Sequence, residues 1–365
     1  MRTPLQTRSE SSADRMLAAT LALLDEGGQA AVTVAAVARA AGTSNGSLYH
    51  RFGDRHGLLL AAQARALSTI EAETATAFAE ADTEPDDERA VALLAAAARD
   101  AVAAHLAGRG VAVSADRVIL TASTSEAYSL LFKLLCDPAD LVLVPHPSYP
   151  LFDHLTRLDG VVASPYALEY HGRWELNLDS VHRAVEPRAR AILIVNPNNP
   201  TGAVYPRTTV ETILEECAYR GIQVYADEVY DNLIFDDDDF ASVLNCSMDL
   251  DNIMCISSFS KTYSMAGLRV GWVIASQAAI KSLRRFHMFT TSVANTPSQF
   301  AGVAALTGDQ QCVKNMVDIY RERRDKVVEL VDQTPYLTGY KPGGAFFAFP
   351  DLPPHVAGSD LALRM

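Results

Sequence analysis

The chain has 365 residues, 49% of them hydrophobic, and a formal net charge of −13 at pH 7. That length leaves room for two domains with cores of their own, and no apolar run approaches the length of a membrane span. The acidity argues against a protein built mainly to coat nucleic acid, while leaving room for a small reader head on an acidic body.

The opening "MRTPLQTRSESSADR" lacks the apolar stretch of a secretory signal. Cys136, Cys217, Cys246, Cys255 and Cys312 are scattered, with no Cys-x-x-Cys pair, which fits reduced thiols in the cytoplasm. Leu17, Leu21 and Leu24 give a first helix one apolar stripe, with Gly27-Gly28 expected to end it. Thr33 can cap a second helix, "VAAVARAA", which Gly42 stops. Ser44 can cap a short third helix, "NGSLYHRF", and Asp54 a longer fourth one carrying Leu59, Ala66 and Ile70. Two short helices joined by a tight glycine-containing turn make a helix-turn-helix. The third helix offers Asn45, Ser47, Tyr49 and His50, groups suited to phosphates and base edges in a major groove. An ordinary helical hairpin is the plainer reading of the same pattern.

The string "TVAAVARAAGTSNGSLYHRFGDRHGLL" resembles the DNA-binding head of TetR-type repressors over residues 13 to about 65. Tyr49 and Phe52 match the family's aromatic pair, and Arg55 stands where the family usually has lysine. The resemblance implies double-stranded DNA as a partner through residues 30–56. Thr33, Ser44, Tyr49, His50 and Arg55 would touch it, mostly at phosphates. Residues 1–60 carry six arginines and five acids, so the head is close to neutral. The family's helical ligand-binding domain does not follow.

The acidic cluster "EADTEPDDER" reads as an exposed joint. Beyond it, helical patterns alternate with "DLVLVP", "AILIVN", "IQVYADE", "NIMCIS" and "RVGWVIA". Such continuous β-branched runs suit strands buried on both faces of a mostly parallel sheet, and their alternation with helices reads as an α/β domain. The short "FDDDDF" reads as a solvated loop rather than a metal site.

The chemistry gathers around Lys261. A buried lysine is often a plain salt-bridge partner, but here Ser258 precedes it by three residues and Arg269 follows by eight. A desolvated amine can form a Schiff base with an aldehyde, and a hydroxyl with a guanidinium fork can hold a phosphate. Pyridoxal phosphate carries both groups. Its ring nitrogen needs a carboxylate, which Asp227 in "VYADEVY" supplies. Its phenolic oxygen needs donors, for which Tyr230 and Asn199 serve. Its ring face needs an aromatic partner, for which Tyr149 is placed. Ser123, Thr124 and Ser125 open a helix whose N-terminus can receive the phosphate. Taken singly, Asp227 also suits a helix cap and Asn199 a turn.

Residues 84–350 resemble the fold-type-I, class I and II aminotransferases. "SSFSKTYSMAGLRVGW" matches their lysine motif, "NPNNPTG" their asparagine motif, "YADEVY" their aspartate motif, and "KPGGAFFAFPDL" the entry to their small C-terminal domain. The resemblance implies a large domain with a mostly parallel mixed sheet flanked by helices, preceded by an all-α head at residues 1–80. It makes Lys261 and Asp227 the catalytic pair and implies a homodimer acting on an amino acid and a 2-oxo acid. Two departures stand out. The family's N-terminal arm and its "Y…G…LR" segment have no counterpart, and residues 351–365 read as a truncated start of the small domain. Three readings stay open: an aminotransferase carrying a DNA-binding head, a transcriptional regulator that senses pyridoxal phosphate or an amino acid, and a truncated or misjoined chain that binds the cofactor with little activity.

Overall fold

The computed structural model describes residues 4–62, 65, 87–236, 240–247 and 250–353. The chain divides into two compact units, Met1–Val91 with Gly308–Met316, and Ala92–Thr307 with Val317–Met365.

In the first unit, α1 (Pro4–Ala31) precedes α2 (Val34–Ala40), α3 (Asn45–Phe52) and a helix over residues 55–62, α4. The caps are those expected. Thr33 accepts from the Ala36 N–H at 3.1 Å, Ser44 from Ser47 at 3.2 Å and Asp54 from Gly57 at 2.7 Å. Each satisfies a backbone donor that the helix itself leaves open. Gly42, at a φ of +63°, turns the chain between α2 and α3. Gly27 and Gly28 do not end the first helix; α1 runs through them to Ala31. An interior glycine weakens a helix by about 1 kcal/mol but does not by itself reverse the chain. Of the expected stripe of α1, Leu17 and Leu24 pack, partly buried, against the head core, but its most buried positions are others. Met16 and Thr20 are fully buried, with the Thr20 hydroxyl folded back onto the Met16 carbonyl at 2.7 Å. Met16 packs with Val32, Val37, Leu48 and Leu58 in a small core of its own. Ala66, Ile70 and the joint up to residue 86 lie outside the described residues, and the joint's last residues already open α5 (Asp87–Gly108).

The second unit is built on one eight-stranded sheet in the order β1-β8-β7-β6-β5-β2-β3-β4. Its strands are β1 (Val118–Thr121), β2 (Leu141–His146), β3 (Val162–Tyr170), β4 (Trp174–Leu176), β5 (Ala189–Val195), β6 (Gln223–Asp227), β7 (Ile253–Ser258) and β8 (Gly271–Ile274). Strands β7, β6, β5, β2 and β3 run parallel, while β8 and β4 run against their neighbours. The five apolar runs of the sequence are β2, β5, β6, β7 and β8, and all five are buried on both faces almost without interruption. Helix α6 (Thr124–Leu135) packs with α7 (Leu151–Leu158) and α12 (Gln277–Phe289) on one side, where Leu131, Phe132, Phe152 and Leu283 join the core. Opposite lies a second core, to which α5 brings Val102 and Leu106 and α9 (Arg207–Arg220) brings Val210, Ile213 and Leu214. The middle of "FDDDDF", residues 237–239, is outside the described residues; its Asp236 is paired with the buried Arg324 at 2.7 Å.

Candidate active site

Strand direction decides where the chemistry collects. In an open α/β sheet, the loops that leave the carboxyl ends of parallel strands share one edge. Asn199 follows β5, Asp227 closes β6, Lys261 follows β7 and Tyr149 follows β2. Val195 lies beside Asp227 in register, and Asp227 beside Ile256. Because β8 is antiparallel to both its neighbours, its first residue, Gly271, sits beside Ser258 and beside Thr121. Arg269 and the Ser123–Ser125 turn therefore reach the same edge. The ten residues expected around the cofactor, Ser123, Thr124, Ser125, Tyr149, Asn199, Asp227, Tyr230, Ser258, Lys261 and Arg269, all line one cleft of about 490 Å³.

Asp227 is its electrostatic centre. It is 6% exposed, and burial pushes its carboxyl up to about 6, against the pull of the hydrogen bonds it accepts and of Lys261. Those bonds come from the Tyr128 hydroxyl at 2.5 Å and the Val229 N–H at 3.0 Å. Tyr128 is a site residue that the sequence motifs missed. Its ring meets Phe152 edge-on at 5.2 Å, and Phe152 meets Tyr149 at 5.7 Å, so Asp227 and Tyr149 share one aromatic chain. Burial pushes the Tyr230 hydroxyl well up, with Asn199 opposing the rise. Phe346 and Phe347 cover Tyr230 edge-on at 5.3 and 5.7 Å. The Lys261 ammonium lies 5.3 Å from the centre of the Phe346 ring, within cation–π range. Phe346 and Phe347 stand in "KPGGAFFAFPDL", and nothing in their spacing marks them as lining this cleft.

The opposite end of the cleft is rich in hydroxyls and backbone donors. Ser258 caps α11 (Phe259–Thr262) by accepting from Ser260 at 3.2 Å. Arg269, at a φ of +53°, anchors one guanidinium nitrogen on the Ala266 carbonyl at 2.9 Å. Gly271 keeps this corner narrow: a Cβ there would stand 2.8 Å from the Ser257 carbonyl oxygen and 3.0 Å from the Ser258 Cβ. The corner can thus present oxygens, amides and a guanidinium to an anion without a side chain intruding.

In the first unit, Thr33, Ser44, Asn45, Tyr49, His50 and Arg55 are exposed and Ser47 is half-buried. Tyr49 is 52% exposed, which leaves its ring open on the α3 surface. Arg55 has a task within the fold, since its Nε donates to the Val32 carbonyl at 2.7 Å and ties α4 to the turn before α2.

Residues 72–364 match the family described as aminotransferase class I and II, and residues 16–62 match bacterial regulatory proteins of the tetR family. A probable aspartate/prephenate aminotransferase of Aquifex aeolicus is 32% identical over 239 residues, which is 65% of this chain and 61% of that protein. The glutamate-pyruvate aminotransferase AlaA of Escherichia coli K12 is 32% identical over 263 residues, 70% of this chain and 65% of that one. The chain thus spans under two thirds of the length of both relatives. The crystal structure of the Thermotoga maritima aspartate aminotransferase matches with a TM-score of 0.69 at 30% identity, covering 73% of this chain and 70% of that one.

Proposed function

This chain belongs to the class I and II aminotransferases, and on that premise we propose that it binds pyridoxal 5′-phosphate around Lys261 and moves an amino group from an amino acid to a 2-oxo acid. The observation that carries the reading is the convergence of Asn199, Asp227, Tyr230, Ser258, Lys261 and Arg269 from four separate segments on one cleft.

The residues present fit the cofactor. Lys261 offers a primary amine for its aldehyde. Ser258, Arg269 and the Ser123–Ser125 turn offer hydroxyls, a planar fork and helix N–H groups for its phosphate. Asp227 is a buried carboxylate whose raised pKa calls for a cation beside it, and a protonated ring nitrogen is one. When bound, the cofactor supplies an electron sink conjugated with the substrate Cα. Asp227 would hold the proton on the ring nitrogen, with Tyr128 and Val229 fixing the carboxylate. Asn199 and Tyr230 would donate toward the phenolic oxygen, and Tyr149 would cover one ring face. Lys261 Nζ would be the base that takes the proton from the substrate Cα and the acid that delivers it to the cofactor's aldehyde carbon, as amino-group transfer requires.

The head, residues 1–80, binds double-stranded DNA through the exposed face of α3 and the caps Thr33 and Ser44; the body, residues 84–350, carries the chemistry. Helix-turn-helix heads read paired half-sites, so the protein acts as a homodimer. Among the described residues no helix is long and apolar enough to cross a membrane. The scattered cysteines, with no Cys-x-x-Cys pair, support the cytoplasm as its compartment. The tetR-family match over residues 16–62 favours a second reading, a regulator whose body senses the cofactor or an amino acid. One experiment separates the two. Cofactor-loaded protein is mixed with aspartate, alanine, glutamate and aromatic amino acids, and the 2-oxo acid released is measured with and without an acceptor oxo acid. Turnover that continues when the acceptor is present supports the enzyme. Bound cofactor with no oxo acid from any donor contradicts the enzyme and leaves the sensor.

A further inference from the structure

The start of α6 holds an arrangement that the cofactor motifs do not account for. Ser123, its N-cap residue, has a φ of +103° and makes no side-chain cap bond. A non-glycine residue in that region is strained and persists only where its surroundings impose it. Two bonds impose it here. The Thr121 hydroxyl donates to the Ser123 carbonyl at 3.0 Å, and the Ala122 N–H donates to Glu126 Oε2 at 2.5 Å.

Glu126 is itself held by a second element. Thr291, just beyond α12, donates its hydroxyl to Glu126 Oε1. His287, in the last turn of α12 and 5% exposed, brings Nε2 to 3.4 Å from Glu126 Oε2. These contacts hold the Glu126 carboxyl below its ordinary range against the opposing effect of burial. A carboxylate near a helix N-terminus is favourable for the free protein. It also places a negative charge near the groups proposed to receive a dianionic phosphate. Its retention there is explained if its work is to fix the backbone of the turn.

We infer that Glu126, oriented by the Thr291 hydroxyl with His287 close by, is a positioning residue that sets the Ala122–Ser125 turn for the phosphate of pyridoxal 5′-phosphate. The inference rests on the proposed function and concerns only one end of the ligand. The ring and aldehyde meet Asp227, Tyr230 and Lys261, none of which bonds Glu126. Loss of the clamp should therefore weaken the phosphorylated ligand and spare the unphosphorylated one.

The test is a binding titration of the full chain with pyridoxal 5′-phosphate and, separately, with pyridoxal, followed by visible absorbance. Glu126→Ala should raise the Kd for pyridoxal 5′-phosphate by about tenfold or more, the scale of one lost charge-assisted bond, and change that for pyridoxal by less than about twofold. Glu126→Gln retains an oxygen to accept from Ala122 and should recover most of the loss. Thr291→Val removes only the orienting hydroxyl of an exposed residue and should move the ratio of the two Kd values in the same direction; it carries the test if Glu126→Ala does not fold. Equal weakening of both ligands, or an unchanged ratio in Thr291→Val with Glu126→Ala unavailable, overturns the inference while the proposed function stands. Wild-type protein that binds neither ligand overturns both.

Discussion

Asp227 combines two demands that oppose each other in the cofactor-free protein. Its place beside Tyr128 and Val229 suits an ionised carboxylate, yet burial raises its pKa to about 6 from an ordinary 3.8. The folded state therefore binds the proton more tightly than the unfolded chain. This contribution to stability is complete below pH 3.8 and is lost as pH rises through about 6, a change of ~3 kcal/mol by neutral pH. A cation against the carboxylate removes that penalty. The increase in Tm produced by pyridoxal 5′-phosphate should thus grow between pH 5 and 7.5, and Asp227→Asn should flatten the growth. Glu228, which burial raises to about 7, lies outside the cofactor cleft and should affect the free and loaded protein alike. An equal increase in Tm at both pH values in the wild type would contradict this account of Asp227. At this scale the sequence was legible where a residue sits in a short local string, as Lys261, Asp227 and Asn199 do. Tyr128 was not legible, because its hydroxyl partner lies 99 positions away and its own neighbours read as an ordinary helix core.

The elements follow the same division between local and distant causes. Helix α2 and the starts of α3 and α4 were legible from Thr33, Ser44 and Asp54, since a cap and the N–H it satisfies are three residues apart. The five continuous apolar runs became strands because both faces of the sheet are covered. Strand β3 escaped notice: it buries only Tyr166 and Leu168, and its other positions are half-buried or exposed. The antiparallel course of β8 is not written in "RVGWVIA" either; pairing direction is set by the connection through Lys261 and Arg269, not by composition. The end of α1 was misplaced because glycine marks a helix end only when the chain must turn there. Leu48 shows what holds the head together. It is fully buried in α3, while its neighbour Tyr49 is exposed. Leu48→Ala should cost roughly 2–5 kcal/mol, enough to melt a core of this size. Far-ultraviolet circular dichroism should show early loss of helix on heating, while the body keeps its cofactor absorbance. Simultaneous loss of both signals would contradict separate cores.

For the whole molecule, a head close to neutral is joined to an acidic body, and the proposed function asks both for the same two-fold symmetry. The chain carries −13 overall, and residues 1–60 carry six arginines against five acids. Phosphate contacts set the salt dependence of DNA binding at roughly one log unit per contact. A head with so few cations, one of them already engaged by the Val32 carbonyl, should bind non-specific DNA weakly and with a shallow salt slope. Footprinting of the DNA upstream of its own gene, with and without cofactor and amino acids, checks this. Protection of a palindrome that changes with an amino acid would support the regulator, and protection nowhere would contradict a DNA-binding role. Sedimentation at micromolar concentration should show a dimer, and a monomer with cofactor present would count against the proposed symmetry.

The proposed chemistry rests on the cleft holding its cofactor through Lys261, and one measurement addresses that directly. Purified protein is loaded with pyridoxal 5′-phosphate, reduced with borohydride, digested and mapped by mass spectrometry. The account predicts a phosphopyridoxyl group on the peptide containing Lys261, no such adduct in Lys261→Ala, and loss of the visible band in that variant. A visible band and a covalent label that survive Lys261→Ala unchanged, or a label on another lysine in the wild type, would contradict it.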